Sequence, residues 1–432
     1  MGIIKKIVQL ILAGFAKIVL LTKKPRIVGI TGSVGKTGTK ESIAAVVGKK
    51  YRMRASYGNF NNEFGLPYTI LGIHEPKFFP LNFLQTIFAF LKSLLDKNYP
   101  EILILEYAAD RPGDIEYLTN IARPNISVVT KVGSAHMEFF QAVEDLQLEK
   151  AQLVKALPKS GLAILNADDP RVLAMKRVSK AGVVSYGIAH DADVKGGDVM
   201  TQQVQDAHLK DPDQAISLRF TIQTSDGTVK CVLPGRVGLP VVYESLAAYA
   251  VAKALGISDK TYCEAMEGQK SAPGRLRLLS GIKDSILIDD SYNSSPEAAT
   301  ESLKALSNIK ARRRLAVLGD MMELGTETER AHRKVGRLVR DLRLDYLVTV
   351  GPRAKFIADE ARNYGFAKTK IWEFENVFEA GLKVQNLIKE GDVILIKGSQ
   401  AVRLEKIVKE VMGQPDRAGE LLCRQSKKWL EA

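Results

Sequence analysis

Residues 27–41, IVGITGSVGKTGTKE, place a lysine and a hydroxyl at the end of a glycine-rich turn. Ile27, Val28 and Ile30 form a short apolar run suited to a buried strand. The turn that follows leads into a helix-compatible segment. This is the layout of a phosphate-binding loop, in which backbone N–H groups and a helix N-terminus face an anion. Gly32, Ser33, Val34, Gly35, Lys36, Thr37 and Gly38 are the residues expected around a nucleotide. Lys36 would reach the terminal phosphates, and the Thr37 hydroxyl would ligate Mg²⁺. The strict pattern has glycine where this chain has Ile30, so the match is to the variant TGSxGKT. No G-x-G-x-x-G is present in this stretch, which argues against a dinucleotide site.

Other polar residues fall at the ends of apolar runs: Glu106 after EILIL, His136 after NISVVTKVG, Asp289 in SILIDD, Asp320 after RRLAVLG and Lys397 in DVILIK. Continuous apolar runs of this length read as buried parallel strands. Open α/β sheets bind ligands beyond the C-terminal ends of their strands, so the pattern places these side chains around clefts.

The elements that must carry them follow in order. A strand, the phosphate loop and a helix come first, then a polar loop GNFNNEFGLPYTIL over 58–71. A second amphipathic helix is expected over 83–95. Phe78, Phe79, Phe83, Phe88 and Phe90 cluster over 76–90, and so dense a group reads as core. A helix over 143–157 and the strand LAILNADDP precede alternating, turn-rich segments from about 183 to 236, read as an antiparallel insertion. A helix near 242–256 closes the unit. SAPGR at 271–275 marks a boundary, after which strands and helices alternate to the end. The expected fold class is α/β: a central P-loop-type, mostly parallel sheet with an antiparallel insertion (26–270), then a Rossmann-like α/β domain (271–432).

The 432 residues allow two or three domains with ample core. Cys231, Cys263 and Cys423 fit neither a disulfide framework nor zinc-ligand spacing, which favours a reducing cytoplasm. The net charge of +13 favours anionic partners. No aromatic-interleaved basic stripe is present, which argues against nucleic acid. Residues 1–25 predict an amphipathic helix, with Ile4, Ile7, Ile11, Phe15 and Ile18 on one side and Lys5, Lys6, Gln9, Lys17, Lys23 and Lys24 on the other. Its stretch without a polar side chain, Leu10 to Ala16, is too short to span a bilayer. The expected placements are two: an interfacial helix on an anionic membrane surface, or a helix packed on the protein's own core, against 83–95.

Taken in order, the segments ITGSVGKTGTKE, NFNNEFGLP, EYAADRPGDIEYL, ARPNISVVTKVGSAHMEFF, LNADDP, APGRLRLL, LIDDSYNSSPEA, LGDMMELGTETERAHRKVG and IKGSQAVRLE resemble the Mur ligases. The resemblance covers roughly 26–412 and is nearest to the type that adds D-alanyl-D-alanine. It implies an ATP-dependent carboxylate–amine ligase acting through an acyl phosphate on a UDP-sugar peptide and an amino acid or dipeptide. It assigns two Mg²⁺ ions, with Thr37, Glu106 and His136 as metal-binding residues. Lys150 matches a lysine that is carbamylated in the family, and Arg275 an arginine that meets the γ-phosphate. Asn293 and Asp320 match nucleotide contacts, and Asn62 is a candidate substrate contact. The family's HNVxNALAA segment reads PVVYESLAA here, so Val241 and Glu244 replace asparagines that help hold adenine, which implies altered base recognition. The resemblance also implies a separate N-terminal domain for the nucleotide sugar. About 25 residues precede the first strand, so the expectation is that the nucleotide-sugar end is held differently, is held by a partner, or is not part of the substrate. Rival expectations are a related ligase for folate polyglutamylation, cyanophycin-type or pseudomurein peptide synthesis, and a membrane-associated nucleotide-binding scaffold.

Overall fold

A computed structural model describes the chain except residues 1, 59, 77–80, 134–139, 141, 205–210 and 432. It divides into two compact units. The first comprises Met1–Gly197, Thr221–Val229 and Tyr243–Met266; the second comprises Asp198–Phe220, Lys230–Val242 and Glu267–Ala432.

The first unit opens with helix α1 (Gly2–Lys23), strand β1 (Arg26–Thr31) and helix α2 (Lys36–Val47), followed by β2 (Met53–Ala55), α3 (Gly65–Leu71) and α4 (Leu81–Leu95). Then come β3 (Ile102–Glu106), α5 (Asp114–Ile121), β4 (Ile126–Val129), α6 (Val143–Lys155), β5 (Leu162–Asn166), α7 (Pro170–Leu173) and β6 (Gly182–Gly187). Strands β1, β3 and β4 are buried along nearly their whole length, as their continuous apolar sequences require. They pair in parallel, with Ile30 beside Glu106 and Val128, so that the phosphate loop and Glu106 emerge at the same sheet edge.

The sheet order is β2-β3-β1-β4-β5-β6, continued by β7 (Val194–Gln203), β8 (Ile216–Thr224) and β9 (Gly227–Pro234). The short helix α8 (Pro212–Ala215) precedes β8, and β8 and β9 form a hairpin across Ser225 and Asp226. The antiparallel texture expected from residue 183 begins later than the sequence reading placed it. β6 runs parallel to β5, from Leu162↔Gly182 to Asn166↔Tyr186, and pairs parallel with the start of β7. Helices α9 (Leu239–Ala254) and α10 (Asp259–Glu267) follow.

Helix α1 belongs to the core of the first unit. Leu12, Ala13, Ala16 and Val19 are buried with Leu66, Ile70, Leu103 and Leu105. Phe15 stacks on Phe90 of α4, the ring centroids 4.2 Å apart. Packing against the second amphipathic helix is therefore the outcome, through a face that keeps Phe15 but is rotated from the one expected. Ile7 and Ile18 are exposed, and Leu12 and Val19 take the inward positions. The phenylalanine cluster is corrected too: Phe83 and Phe88 are exposed, Phe90 is half-buried, and Phe78 and Phe79 lie outside the described residues. Among the described residues, no helix is long and apolar enough to cross a membrane.

The second unit carries a six-stranded sheet in the order β10-β11-β15-β12-β13-β14. The strands are β10 (Arg277–Gly281), β11 (Ser285–Asp290), β12 (Arg313–Gly319), β13 (Tyr346–Val350), β14 (Ile371–Phe374) and β15 (Asp392–Lys397). Only β10 is antiparallel to its neighbour; the others pair in parallel. Helices α11 (Pro296–Ser307), α12 (Thr328–Asp341), α13 (Lys355–Asn363), α14 (Val377–Leu387) and α15 (Glu405–Val411) alternate with them. Separate apolar clusters, one built on Leu303, Val335 and Ile357 and the other on Val384, Ile407 and Val408, give the sheet two covered faces.

Candidate active site

The phosphate loop has the backbone shape its glycines permit. Gly32 has φ 147°, and a side chain there would collide with the Thr130 hydroxyl. Gly35 caps α2 in the left-handed region at φ 83°, where a Cβ is disfavoured. The first intrahelical bond of α2 runs from Thr39 N–H to Gly35 O at 3.0 Å. The N–H groups before it have no intrahelical acceptor, which is the condition for anion binding. The loop is fastened to the end of β4: Ser33 N–H donates to Lys131 O at 2.7 Å and the Thr130 hydroxyl to Val34 O at 2.6 Å. Lys36 Nζ donates to Gly32 O at 2.6 Å, so its ammonium folds back over the loop.

Glu106, the last residue of β3, is 1% exposed. Its Oε1 lies 3.4 Å from Lys40 Nζ but accepts no hydrogen bond. Lys40 also donates to Ser56 O at 2.6 Å, and the Ser56 hydroxyl accepts from Glu106 N–H. A buried carboxylate oxygen without a donor suits a hard cation. His136 lies outside the described residues, and among those described no group of three metal-ligating side chains assembles.

Lys150 sits on α6 and is 1% exposed. Burial, and secondarily the charge of Lys36, lower its ammonium to about 7, against partial opposition from Glu149 and Asp110. A considerable fraction of the amine is therefore neutral near neutral pH, the form that reacts with CO₂. Its neighbour Glu149 accepts N–H bonds from Gly113 (2.8 Å) and Ile115 (2.7 Å), tying α6 to the start of α5.

Asn62 is exposed, and its carboxamide oxygen accepts from Phe64 N–H and Gly65 N–H at the start of α3. At least half of that side chain therefore serves a helix end.

In the second unit, Arg275 lies over the Tyr292 ring at 4.2 Å. Its backbone is pinned on both sides: Gly274 N–H donates to Asp289 Oδ2 and Leu276 N–H to Asp290 Oδ1. Burial pushes Asp289 up to about 6 despite its hydrogen bonds from Ser291 and Gly274. Lys397 Nζ contacts Asp290 Oδ2 at 2.7 Å and donates to Asn293 O at 2.9 Å, which collects Asp290, Asn293 and Lys397 at one sheet edge. Asp320 accepts from Ala354 N–H at 2.7 Å, and Ser399 N–H donates to Asp320 O at 2.9 Å. The next residue, Met321, donates its N–H to His332 Nε2, while His332 Nδ1 meets Thr328 O at 2.6 Å. Burial lowers the His332 pKa, consistent with a neutral ring that bridges two backbone groups.

The sequence reading missed Lys40, Asp168 and the pinning role of Asp289. Lys40 had a visible signal, since it follows Lys36 by one helical turn. Asp168 accepts N–H bonds from Ile188, Ala189 and His190 and a bond from the Tyr243 hydroxyl, which together hold its carboxyl at about 2 against burial.

The chain is similar to known proteins over most of its length. The family model described as Mur ligase middle domain matches residues 30–252, and the one described as Mur ligase, glutamate ligase domain matches 274–400. The chain belongs to the Mur ligase family. Members of the Mur ligase family are ATP-dependent ligases that form C–N bonds. A UDP-N-acetylmuramoyl-tripeptide–D-alanyl-D-alanine ligase of Mycobacterium leprae is 33% identical over 90% of this chain and 73% of its own length. The Bacillus subtilis protein of the same name is 28% identical over 93% of this chain and 79% of its own. Among solved structures, the MurF ligase of Thermotoga maritima in complex with ADP superposes with a TM-score of 0.76. It is 28% identical, over 93% of this Mur ligase chain and 83% of the Thermotoga chain.

Proposed function

We propose that this Mur ligase joins D-alanyl-D-alanine to a UDP-muramyl tripeptide, at the expense of ATP, in cell-wall precursor synthesis. The observation that carries the reading is the phosphate loop with a buried, partly neutral Lys150 behind Lys36, in a chain whose relatives bear that name along most of its length.

The acceptor carboxylate attacks the γ-phosphorus, the bond to the β–γ bridging oxygen breaks, and ADP leaves. The amine of the dipeptide then attacks the acyl phosphate, loses a proton and expels phosphate. Phosphoryl transfer of this kind depends on positioning and charge neutralisation. Gly32 to Gly38 would cradle the phosphates through backbone N–H groups, with the Lys36 ammonium on the terminal ones. Arg275, held over the Tyr292 ring, is the cation we assign to charge on the transferring group. Asn293 and Asp320 are assigned to the nucleotide, and Asn62 to substrate through its amide nitrogen.

Mg²⁺ would be held by Thr37, Glu106 and His136, and by Lys150 once carbamylation makes it an oxygen donor. Glu106 Oε1, buried without a hydrogen bond, fits that part. When bound, the ion neutralises phosphate charge.

The test is phosphate release by the full chain with a panel of UDP-muramyl peptides and amines. Turnover confined to the tripeptide with D-alanyl-D-alanine, lost in Lys36→Ala, is the expected result. Turnover only with glutamate and a folate, or none with any pair, overturns the reading.

A further inference from the structure

Helix α4 packs Ala89, Phe90 and Leu94 against the core of the first unit and leaves a second apolar face outside. Leu84, Phe88, Leu91 and Leu95 recur at helical spacing on one face and are 50–79% exposed. Its buried positions are Thr86 and Ser93, whose hydroxyls donate to Asn82 O and Leu71 O. The adjoining α1 repeats the arrangement: beyond the face it packs inward, it exposes Leu10 (60%) and Ile18 (46%). Exposed leucines occur singly on most proteins, whereas aligned rows on two neighbouring helices mark an interaction surface.

The charges around these rows restrict what can cover them. Lys5, Lys6, Lys17 and Lys92 are exposed, and neither α1 nor α4 contains an acidic residue. At 100° per residue Lys6 and Lys17 fall on the flank of the exposed row of α1. A second copy of this face would bring lysines against lysines in a desolvated seam, without carboxylates from either helix to pair them. An anionic bilayer surface meets both demands. Leucine and phenylalanine enter the headgroup–acyl boundary, and lysines at the rim meet lipid phosphates.

We propose that the exposed rows of α1 and α4 lie on anionic lipid and hold this protein peripherally on a membrane. The proposal is independent of the substrate reading above, since it uses no residue of the candidate active site.

The experiment is co-flotation of the full chain with phosphatidylglycerol-containing vesicles and with pure phosphatidylcholine vesicles, at low and high salt. The comparison proteins are Leu84→Glu/Phe88→Glu and Ile18→Glu, whose mutated side chains lie outside the packed core. The wild type should bind the anionic vesicles, release in high salt and bind neutral vesicles weakly. The double variant should lose about tenfold or more in binding with an unchanged melting transition. No binding to anionic vesicles, or equal binding by wild type and a folded double variant, overturns the proposal. So does a wild-type dimer in light scattering that the double variant dissociates, which would give the face to a second copy.

Discussion

The carboxylate of Glu244 occupies the space that a side chain at Gly38 would fill, so the first turn of α2 and helix α9 touch at a glycine. Glu244 stands where the family resemblance expects an asparagine, and Gly38 is the third residue of the phosphate-loop helix. Away from any contact, alanine is favoured over glycine in a helix by about 1 kcal/mol. Here the gain is opposed by collision with the far end of a flexible side chain. Gly38→Ala should therefore destabilise by about 1 kcal/mol in the wild type and stabilise by a similar amount in Glu244→Ala. Urea unfolding of the four proteins of this cycle reads the coupling. Equal effects in both backgrounds would remove it.

Lys150→Ala should lower turnover by about a hundredfold or more, since it removes the oxygen donor that the proposed carbamate would supply to the metal. Short carboxylates such as formate or acetate should restore part of the rate in that variant and none in Lys36→Ala. Initial rates with and without the added acid decide. A Lys150→Ala enzyme with unimpaired turnover would reduce the residue to a buried helix position.

Asp289 gives a pH dependence of a defined sign. Its folded value, about 6, lies above the ordinary 3.8, so the native state holds the extra proton between those values. Its contribution to stability is full below about 3.8 and is lost as pH rises through about 6. The stability of the wild type relative to Asp289→Asn should accordingly fall between about pH 4 and pH 7, as read by denaturant unfolding at both ends. A difference that stays flat or grows with pH would contradict the burial argument.

Leu12→Ala should cost about 2–5 kcal/mol, because Leu12 is fully buried among Leu66, Ile70 and Leu103. Leu10→Ala, two residues away and exposed, should stay within about 0.5 kcal/mol. Thermal unfolding separates the two readily. For the same reason deletion of residues 1–24 should cost the first unit its fold, not merely a surface helix.

How much of this was legible in the sequence depended on whether the signal was local. The phosphate loop was, because strand, glycines, lysine and threonine are consecutive and each has its own physical reason. The strand ending at Glu106 was too, since a continuous apolar run allows one interpretation at that length. The buried face of α1 was not. Apolar residues surround that helix, and only α3 and α4, supplied later in the chain, select Leu12 and Val19 over Ile7 and Ile18. Helix α4 misled for the opposite reason, since Phe83, Leu84, Phe88, Leu91 and Leu95 face away from the core while Phe90 and Leu94 pack on it. The grip of Asp289 and Asp290 on the backbone beside Arg275 depends on the pairing of β10 with β11, which a pattern of residue types does not register.

The route of the chain has a consequence for biosynthesis. It passes from one compact unit to the other at 197/198, 220/221, 229/230, 242/243 and 266/267. The first unit has all its residues once Met266 leaves the ribosome, but Asp198–Phe220 and Lys230–Val242 must then wait for residues 267–432. At typical elongation rates that wait lasts about ten to thirty seconds. Through that interval the residues of these segments that pack with the later chain, Ile216 and Val237 among them, have no finished core to enter. The nascent chain is then most exposed to chaperones, to proteases and to its neighbours on the same message.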